Sequence, residues 1–179
     1  MGINTPEKKQ PFHDEAMNYL KALVEGKQVE LESQGKDKYQ RTLGYIYLNN
    51  ELINEKLLEK GLANLYYYGT DENYNEMKNA EQQAQEQEIG IWKKSPSSSC
   101  LKLVSLKYKD NGICKNQEQL VLQNSCNPMS IIIKDDANHI YNEKIPAGIF
   151  TQNFSCIWND AGDSLYIRDN SGLLLFFRY

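Results

Sequence analysis

The sequence predicts two units, an α+β first half and an all-β sandwich in the second. Three observations carry this. Apolar residues recur at helical spacing three times before residue 90. That period vanishes afterwards, giving way to six short strand-like runs separated by Asn, Gly, Asp and Pro. Between them lies Lys93–Ser99, KKSPSSS, a polar stretch with a Pro and a Ser run that follows the apolar stop Ile91–Trp92. The expected organisation is residues 1–94, a linker at 95–99, and residues 100–179.

In the first half, His13–Glu25 places Ala16, Leu20, Leu23 and Val24 on one helical face, and Gly26 ends the helix. Gln28–Glu32 alternates as a strand, with Val29 and Leu31 facing one way, and Gly35–Asp37 reads as a turn. Arg41–Leu48 is a second strand carrying Leu43, Tyr45 and Tyr47 on one face. Asn49–Asn50 turns the chain. Ile53, Leu57, Leu58 and Leu62 give a short amphipathic helix, and Asn73–Glu88 a longer polar one with Tyr74, Met77, Ala80 and Ala84 inside. In the second half the expected strands are Leu101–Tyr108, Gln119–Gln123, Ser130–Lys134, Cys156–Trp158, Ser164–Arg168 and Leu173–Tyr179.

Composition narrows the function. Net charge is −4. Residues 1–97 carry 12 Lys and Arg against 16 Asp and Glu, and the remainder is neutral at 8 against 8. A dedicated duplex-DNA binder is usually basic, so any phosphate contact must come from local cations. No apolar window is long enough to span a bilayer, and no signal-like run opens the sequence. The four cysteines, Cys100, Cys114, Cys126 and Cys156, all lie in the second half and none has CxxC spacing, which argues against zinc. Two disulfides or buried free thiols both suit them.

Two short motifs bear the chemistry: Gly2–Glu7, GINTPE, and Asp37–Leu43, DKYQRTL. Phosphodiester hydrolysis needs an oriented water, neutralised phosphoryl charge and assistance at the oxygens. A carboxylate, a guanidinium and a hard cation supply all three. Taken alone, Glu7 beside Lys8 and Lys9 reads as an ordinary solvated residue, and Arg41 as a strand-edge charge. The surrounding blocks change that. GINTPE, PFHDEA, DKYQRTLGYIYL, LLEKGLA and AEQQAQEQEIGIW occur in the order and spacing of the thermonuclease (micrococcal-nuclease-like) family, which residues 2–92 resemble.

The resemblance implies a calcium-dependent phosphodiesterase, an endonuclease acting on single-stranded or loosely paired DNA or RNA, on a partial OB-fold barrel with helices. Glu7 matches the carboxylate that orients or deprotonates the attacking water. Arg41 matches one of two phosphate-holding arginines; its flat fork suits bidentate binding better than lysine. Thr5 and Asn4 match calcium ligands, Asn4 standing where the family has an aspartate and so attracting the ion less. Lys38, Tyr39 and Tyr67 match positions around the nucleotide. The family's other arginine, a DGDT segment and three barrel strands would precede Met1. The expectation is therefore an N-terminally truncated domain with one apolar sheet face bare and weakened hydrolysis. A catalytically inactive nuclease-like binding module, or a fragment, is the alternative.

Residues 100–179 resemble the lamin-tail domain, an immunoglobulin-like sandwich, through QLVLQNSC, IIIKDD, PAGIF, CIWNDAGDSLYIRDNSG and LLLFFRY. The resemblance implies an accessory domain that attaches to a protein or envelope partner or to nucleic acid. Asp160, Asp163 and Asp169 read as turn carboxylates that cap main-chain amides rather than a metal loop. Family habit and the cysteines point to a secreted or envelope-associated protein. His13 and His139 have no partner of a metal or triad type.

Overall fold

A computed structural model describes residues 1–37, 39–66, 72–109, 118–137 and 139–179. The chain divides into two compact units, Met1–Trp92 and Lys93–Tyr179.

The first unit runs β1 (Ile3–Asn4), α1 (His13–Val24), β2 (Glu30–Lys36), β3 (Thr42–Leu48), β4 (Glu51–Leu52), α2 (Ile53–Glu59), β5 (Asn64–Leu65) and α3 (Tyr74–Glu86), and ends in a 3₁₀ turn at Gly90–Trp92. β2, β3 and β4 form an antiparallel sheet in chain order, while β1 pairs with β5 alone. Among the described residues these sheets are open. In α1, Asp14 and Glu15 in the first turn and Lys21 in the last complement the helix dipole. Asn49 and Asn50 both take positive φ, 51° and 67°, and join the paired residues Leu48 and Glu51. That is the two-residue hairpin for which asparagines suit the backbone.

β2 departs from the expected strand. It starts at Glu30 rather than Gln28 and continues through Gly35 and Lys36, with an irregularity between Ser33 and Lys36. The turn falls at Asp37–Gln40 because the Asp37 side chain accepts the amides of Tyr39 and Arg41. Leu31 lies opposite Ile46, while Glu30 and Glu32 lie opposite Tyr47 and Tyr45. Paired residues share a face, so the glutamates accompany the tyrosines. Glu32 accepts the Tyr47 hydroxyl at 3.3 Å. Val29, expected to share a face with Leu31, precedes the strand, and both side chains are exposed, Leu31 at 54%.

The core of this unit gathers Tyr45, Leu52, Leu57, Leu58, Leu62, Leu65, Met77 and Ala80 between the sheet and α1, α2 and α3. Buried Asn54 ties three segments together: its Oδ1 accepts the Ile46 amide at 3.1 Å and its Nδ2 donates to the Met1 carbonyl at 2.9 Å. Glu81, on the inner stripe of α3, accepts the Leu65 amide at 2.7 Å. At the far end Gly61 and Gly90 meet backbone to backbone, both with positive φ, and the Ile91 amide donates to the Gly61 carbonyl at 2.7 Å. A Cβ on either would collide with main-chain carbonyl of the opposing segment.

The second unit holds β6 (Leu101–Lys107), β7 (Glu118–Asn124), β8 (Met129–Lys134), β9 (Ile140–Ile145), β10 (Gly148–Phe154), β11 (Ser164–Asp169) and β12 (Gly172–Arg178). Two antiparallel sheets, ordered β10-β7-β6 and β12-β11-β8-β9, contribute inward residues to one core. β9 and β10 are strands the sequence pattern did not disclose. Cys156–Trp158, expected as a strand, is irregular. Ile157 and Trp158 are nonetheless buried, and their amides donate to the Glu118 carboxylate at 2.9 and 2.8 Å instead of to a neighbouring strand. The Lys93–Ser95 segment hydrogen-bonds to Leu173 of β12, and Ser95 donates to Asp169 at 2.6 Å. Cys100 and Cys126 form a disulfide, and Cys156 is also disulfide-bonded. Cys114 lies outside the described residues. Asp163 and Asp169 act as turn carboxylates: Asp163 accepts the amides of Asn159, Ser164 and Asp136, and Asp169 those of Ser171 and Gly172.

Candidate functional site

The GINTPE motif folds as β1 followed by a turn into α1. β1 is only two residues long, so its position depends on β5: Ile3 lies opposite Leu65, Asn4 opposite Asn64, and the Tyr66 amide donates to the Gly2 carbonyl at 2.9 Å. β5 is in turn fixed by the buried Glu81 carboxylate. Asn4 and Thr5 are half-buried at the end of this ladder. Pro6 follows, and His13 Nδ1 lies 2.9 Å from its carbonyl oxygen. A carbonyl only accepts, so Nδ1 carries the proton.

Glu7 opens a tight turn. Its carbonyl accepts the Gln10 amide at 2.8 Å, and its own amide donates to Gln10 Oε1 at 2.9 Å. The main chain of Glu7 is thereby held at both polar groups, while the carboxylate remains exposed to solvent. Lys9 and Phe12, with φ of 76° and 69°, complete the reversal into α1.

Arg41 stands immediately before β3, at the end of the turn that leaves β2. Its guanidinium is 74% exposed and donates through Nε to Asp37 Oδ2 at 2.6 Å. The same guanidinium lies over the Tyr39 ring, 5.3 Å from its centroid, in cation–π contact. Tyr39 itself is 67% exposed. A cation and an aromatic face are thus presented together. The Asp37 carboxyl titrates below its ordinary range: burial pushes it up, but the Arg41 amide, the Arg41 guanidinium and the Tyr39 amide more than offset this.

The structure thus brings Asn4, Thr5 and Glu7 together on one segment, and Tyr39 and Arg41 together on another. Glu7 and Arg41 make no ion pair with each other among the described residues; Asp37 is the carboxylate that Arg41 meets. Lys38 and Tyr67 lie outside the described residues. Sequence reasoning passed over Asp37, Gln10 and His13. An Asp followed at two and four positions by amides to cap was a readable signal for the first. Nothing in the local pattern marked the other two.

For a metal, Asn4 and Thr5 offer neutral oxygens, the donor type that calcium takes. Two such oxygens are short of the six to eight it takes, so further donors are needed. Among the described residues no three His, Cys, Asp or Glu side chains converge.

Comparison with known proteins gives the family. The family model described as staphylococcal nuclease homologue matches residues 1–94. The chain is 38% identical over 101 residues to the thermonuclease of Staphylococcus hyicus, covering 51% of this chain and 60% of that protein. It is 35% identical over 94 residues to the staphylococcal-like nuclease CAN1 of Arabidopsis thaliana, covering 52% and 28%. To a protein of Haemophilus influenzae named an uncharacterized endonuclease it is 38% identical over 91 residues, covering 50% and 49%. The chain therefore spans about three fifths or less of the length of these relatives. With 94 of its 179 residues matched, the chain belongs to the staphylococcal nuclease homologue family.

Proposed function

We propose that this chain is a calcium-dependent phosphodiesterase, an endonuclease that cuts single-stranded or loosely paired DNA or RNA. The observation that carries the reading is the exposed Arg41–Tyr39 pair on a capped turn, in a chain whose relatives are named nucleases. Arg41 steadies the phosphoryl group and neutralises charge as it develops. Glu7 orients the attacking water or takes its proton. Tyr39 and Tyr67 face the nucleotide, with Lys38 supplying a further cation. Asn4 and Thr5 lend oxygens to calcium, which supplies Lewis-acid assistance when bound.

Residues 100–179 are proposed as a lamin-tail, immunoglobulin-like accessory domain that attaches the enzyme to a protein, envelope or nucleic-acid partner. Its Cys100–Cys126 disulfide supports a secreted or envelope-associated protein, because such bonds persist in oxidising compartments. No helix among the described residues is long and apolar enough to cross a membrane.

The test is hydrolysis of a fluorogenic single-stranded DNA and its RNA counterpart by the full chain, with calcium and with chelator. Arg41→Lys and Glu7→Gln should each lower the rate about 10²–10³-fold. Equal, negligible rates with calcium and chelator would refute the enzyme. Retained oligonucleotide binding in that case would establish the nuclease-like binding module instead.

A further inference from the structure

We propose that Asp37 is the positioning residue for Arg41, holding its guanidinium by one edge so that the other edge is presented, already ordered, to a phosphate. The inference rests on the reading of Arg41 as the phosphate ligand and extends it to a residue not assigned to the site.

One side chain does two jobs here. Asp37 Oδ1 accepts the amides of Tyr39 at 2.8 Å and Arg41 at 2.9 Å, which shapes the turn. Asp37 Oδ2 accepts Arg41 Nε at 2.6 Å, which orients the side chain. The backbone closes the same loop twice: the Asp37 amide donates to the Arg41 carbonyl at 2.9 Å, and the Gln40 amide to the Asp37 carbonyl at 3.0 Å. Gln40 takes the left-handed conformation that this closure needs, φ 64°. The Asp37 side chain is only 16% exposed and Arg41 is 74% exposed, so the holder is inside and the held group outside. The Tyr39 ring supports one face of the guanidinium.

A carboxylate beside a phosphate-binding arginine has two opposite effects. It competes with the phosphate for positive charge, or it orders a long side chain that would otherwise lose its freedom on binding. The geometry favours ordering. Asp37 engages Nε, and bidentate phosphate recognition uses a fork of two N–H groups. With Nε bonded to Asp37, the end-on fork formed by the two Nη groups is left to meet a phosphate. The lowering of the Asp37 carboxyl agrees, since it favours the ionised form that accepts Arg41 Nε–H.

The test uses ¹⁵N-labelled full chain and two readouts. One is hydrogen exchange of the Arg41 Nε–H resonance. The other is the dissociation constant of a phosphorothioate thymidine dinucleotide. Asp37→Asn keeps an oxygen for the Tyr39 and Arg41 amides but offers no charge to Nε–H. It should speed Nε–H exchange and weaken ligand binding, each about tenfold, while the Tyr39 and Arg41 amide resonances stay dispersed. In an Arg41→Lys background the same change should have no further effect on binding. Tighter or unchanged binding for Asp37→Asn, with Arg41→Lys still damaging, overturns the positioning role and leaves Arg41 as ligand. An Arg41→Lys protein that binds as the parent does overturns the phosphate reading itself, and the proposal with it.

Discussion

Gly90→Ala probes how the segment after α3 is locked to the end of α2. Gly90 has φ 57°, where an L side chain costs about 1 kcal/mol or slightly more. Its new methyl group would meet the Gly61 carbonyl and lie 2.9 Å from the Lys60 carbonyl oxygen, both main-chain atoms that cannot rotate away. The segments must part, which weakens the 2.7 Å bond from Ile91 to Gly61 at a cost of about 1 kcal/mol. It also loosens Trp92, which is only 2% exposed; losing a third of its packing costs about 1–1.5 kcal/mol. The sum is about 3–3.5 kcal/mol. Gly26→Ala is the control. Its φ is 71°, yet nothing lies within 4 Å of the added carbon, so about 1 kcal/mol is expected. The assay is urea unfolding followed by tryptophan fluorescence. Trp92 and Trp158 are the two tryptophans, one in each unit. A Trp158→Phe background makes the signal report the first unit. With a slope of about 1.5 kcal/mol/M the midpoint should fall about 2 M for Gly90→Ala and about 0.7 M for Gly26→Ala. Equal shifts would refute the argument that backbone apposition, rather than conformation alone, makes this glycine necessary.

Asp136 sets a pH dependence in the second unit. Burial raises its carboxyl from 3.8 to about 6, although Tyr166, Ser164 and Arg178 oppose this. A raised carboxyl contributes stability that is full below its unfolded value and lost as pH rises through about 4 to 6, some 2–3 kcal/mol in all. Comparing parent and Asp136→Asn from about pH 3.5 to 7.5 by Trp158 fluorescence should show that difference; parallel curves would contradict it. Removing the Cys100–Cys126 bridge by double serine substitution opens a loop with a sequence separation of 26 and should cost about 3.5 kcal/mol in chemical denaturation. A loss below about 1 kcal/mol would show that the bridge is incidental. Glu81→Ala strips the Leu65 amide of its buried acceptor and should cost about 2 kcal/mol in the first unit, and a neutral result would mean another acceptor takes over.

Much of the fold was legible because it rests on periodicity. The stripe Met77, Ala80, Ala84 and the set Ile53, Leu57, Leu58 are buried as their spacing requires. What was illegible rests on polar groups doing the work of a strand or a core residue. Ile157 and Trp158 looked like strand because they are apolar. They are buried without a ladder because the Glu118 carboxylate, itself fully buried, accepts both amides. Glu81 is hidden for the same reason: a glutamate on a polar helix reads as solvated. β9 and β10 escaped because Ile140–Ile145 and Gly148–Phe154 expose polar and apolar residues alike, with Ile140 and Ile149 among the exposed apolar side chains. The apolar pair Val29 and Leu31 was visible, but its direction was not. Strand period gives two faces and does not say which one meets the helices.

The two candidate motifs stood out in the sequence in a different way, and the reason is physical. Neither Glu7 nor Arg41 is positioned by the core; both are exposed and sit on turns. Each is fixed by groups a few residues away in the chain. Gln10 holds the Glu7 amide, His13 holds the Pro6 carbonyl, and Asp37 holds Arg41 at backbone and side chain. Hydrogen bonds of this kind are worth about 1 kcal/mol each near water, so one alone would not fix an exposed side chain. Several per turn can, and in these two turns the partners are close in sequence. Each candidate residue and its holders therefore lie in one short stretch of sequence. That is why GINTPE with PFH, and DKYQR, remain recognisable in a chain whose bearing strands lie, among the described residues, in two separate open sheets.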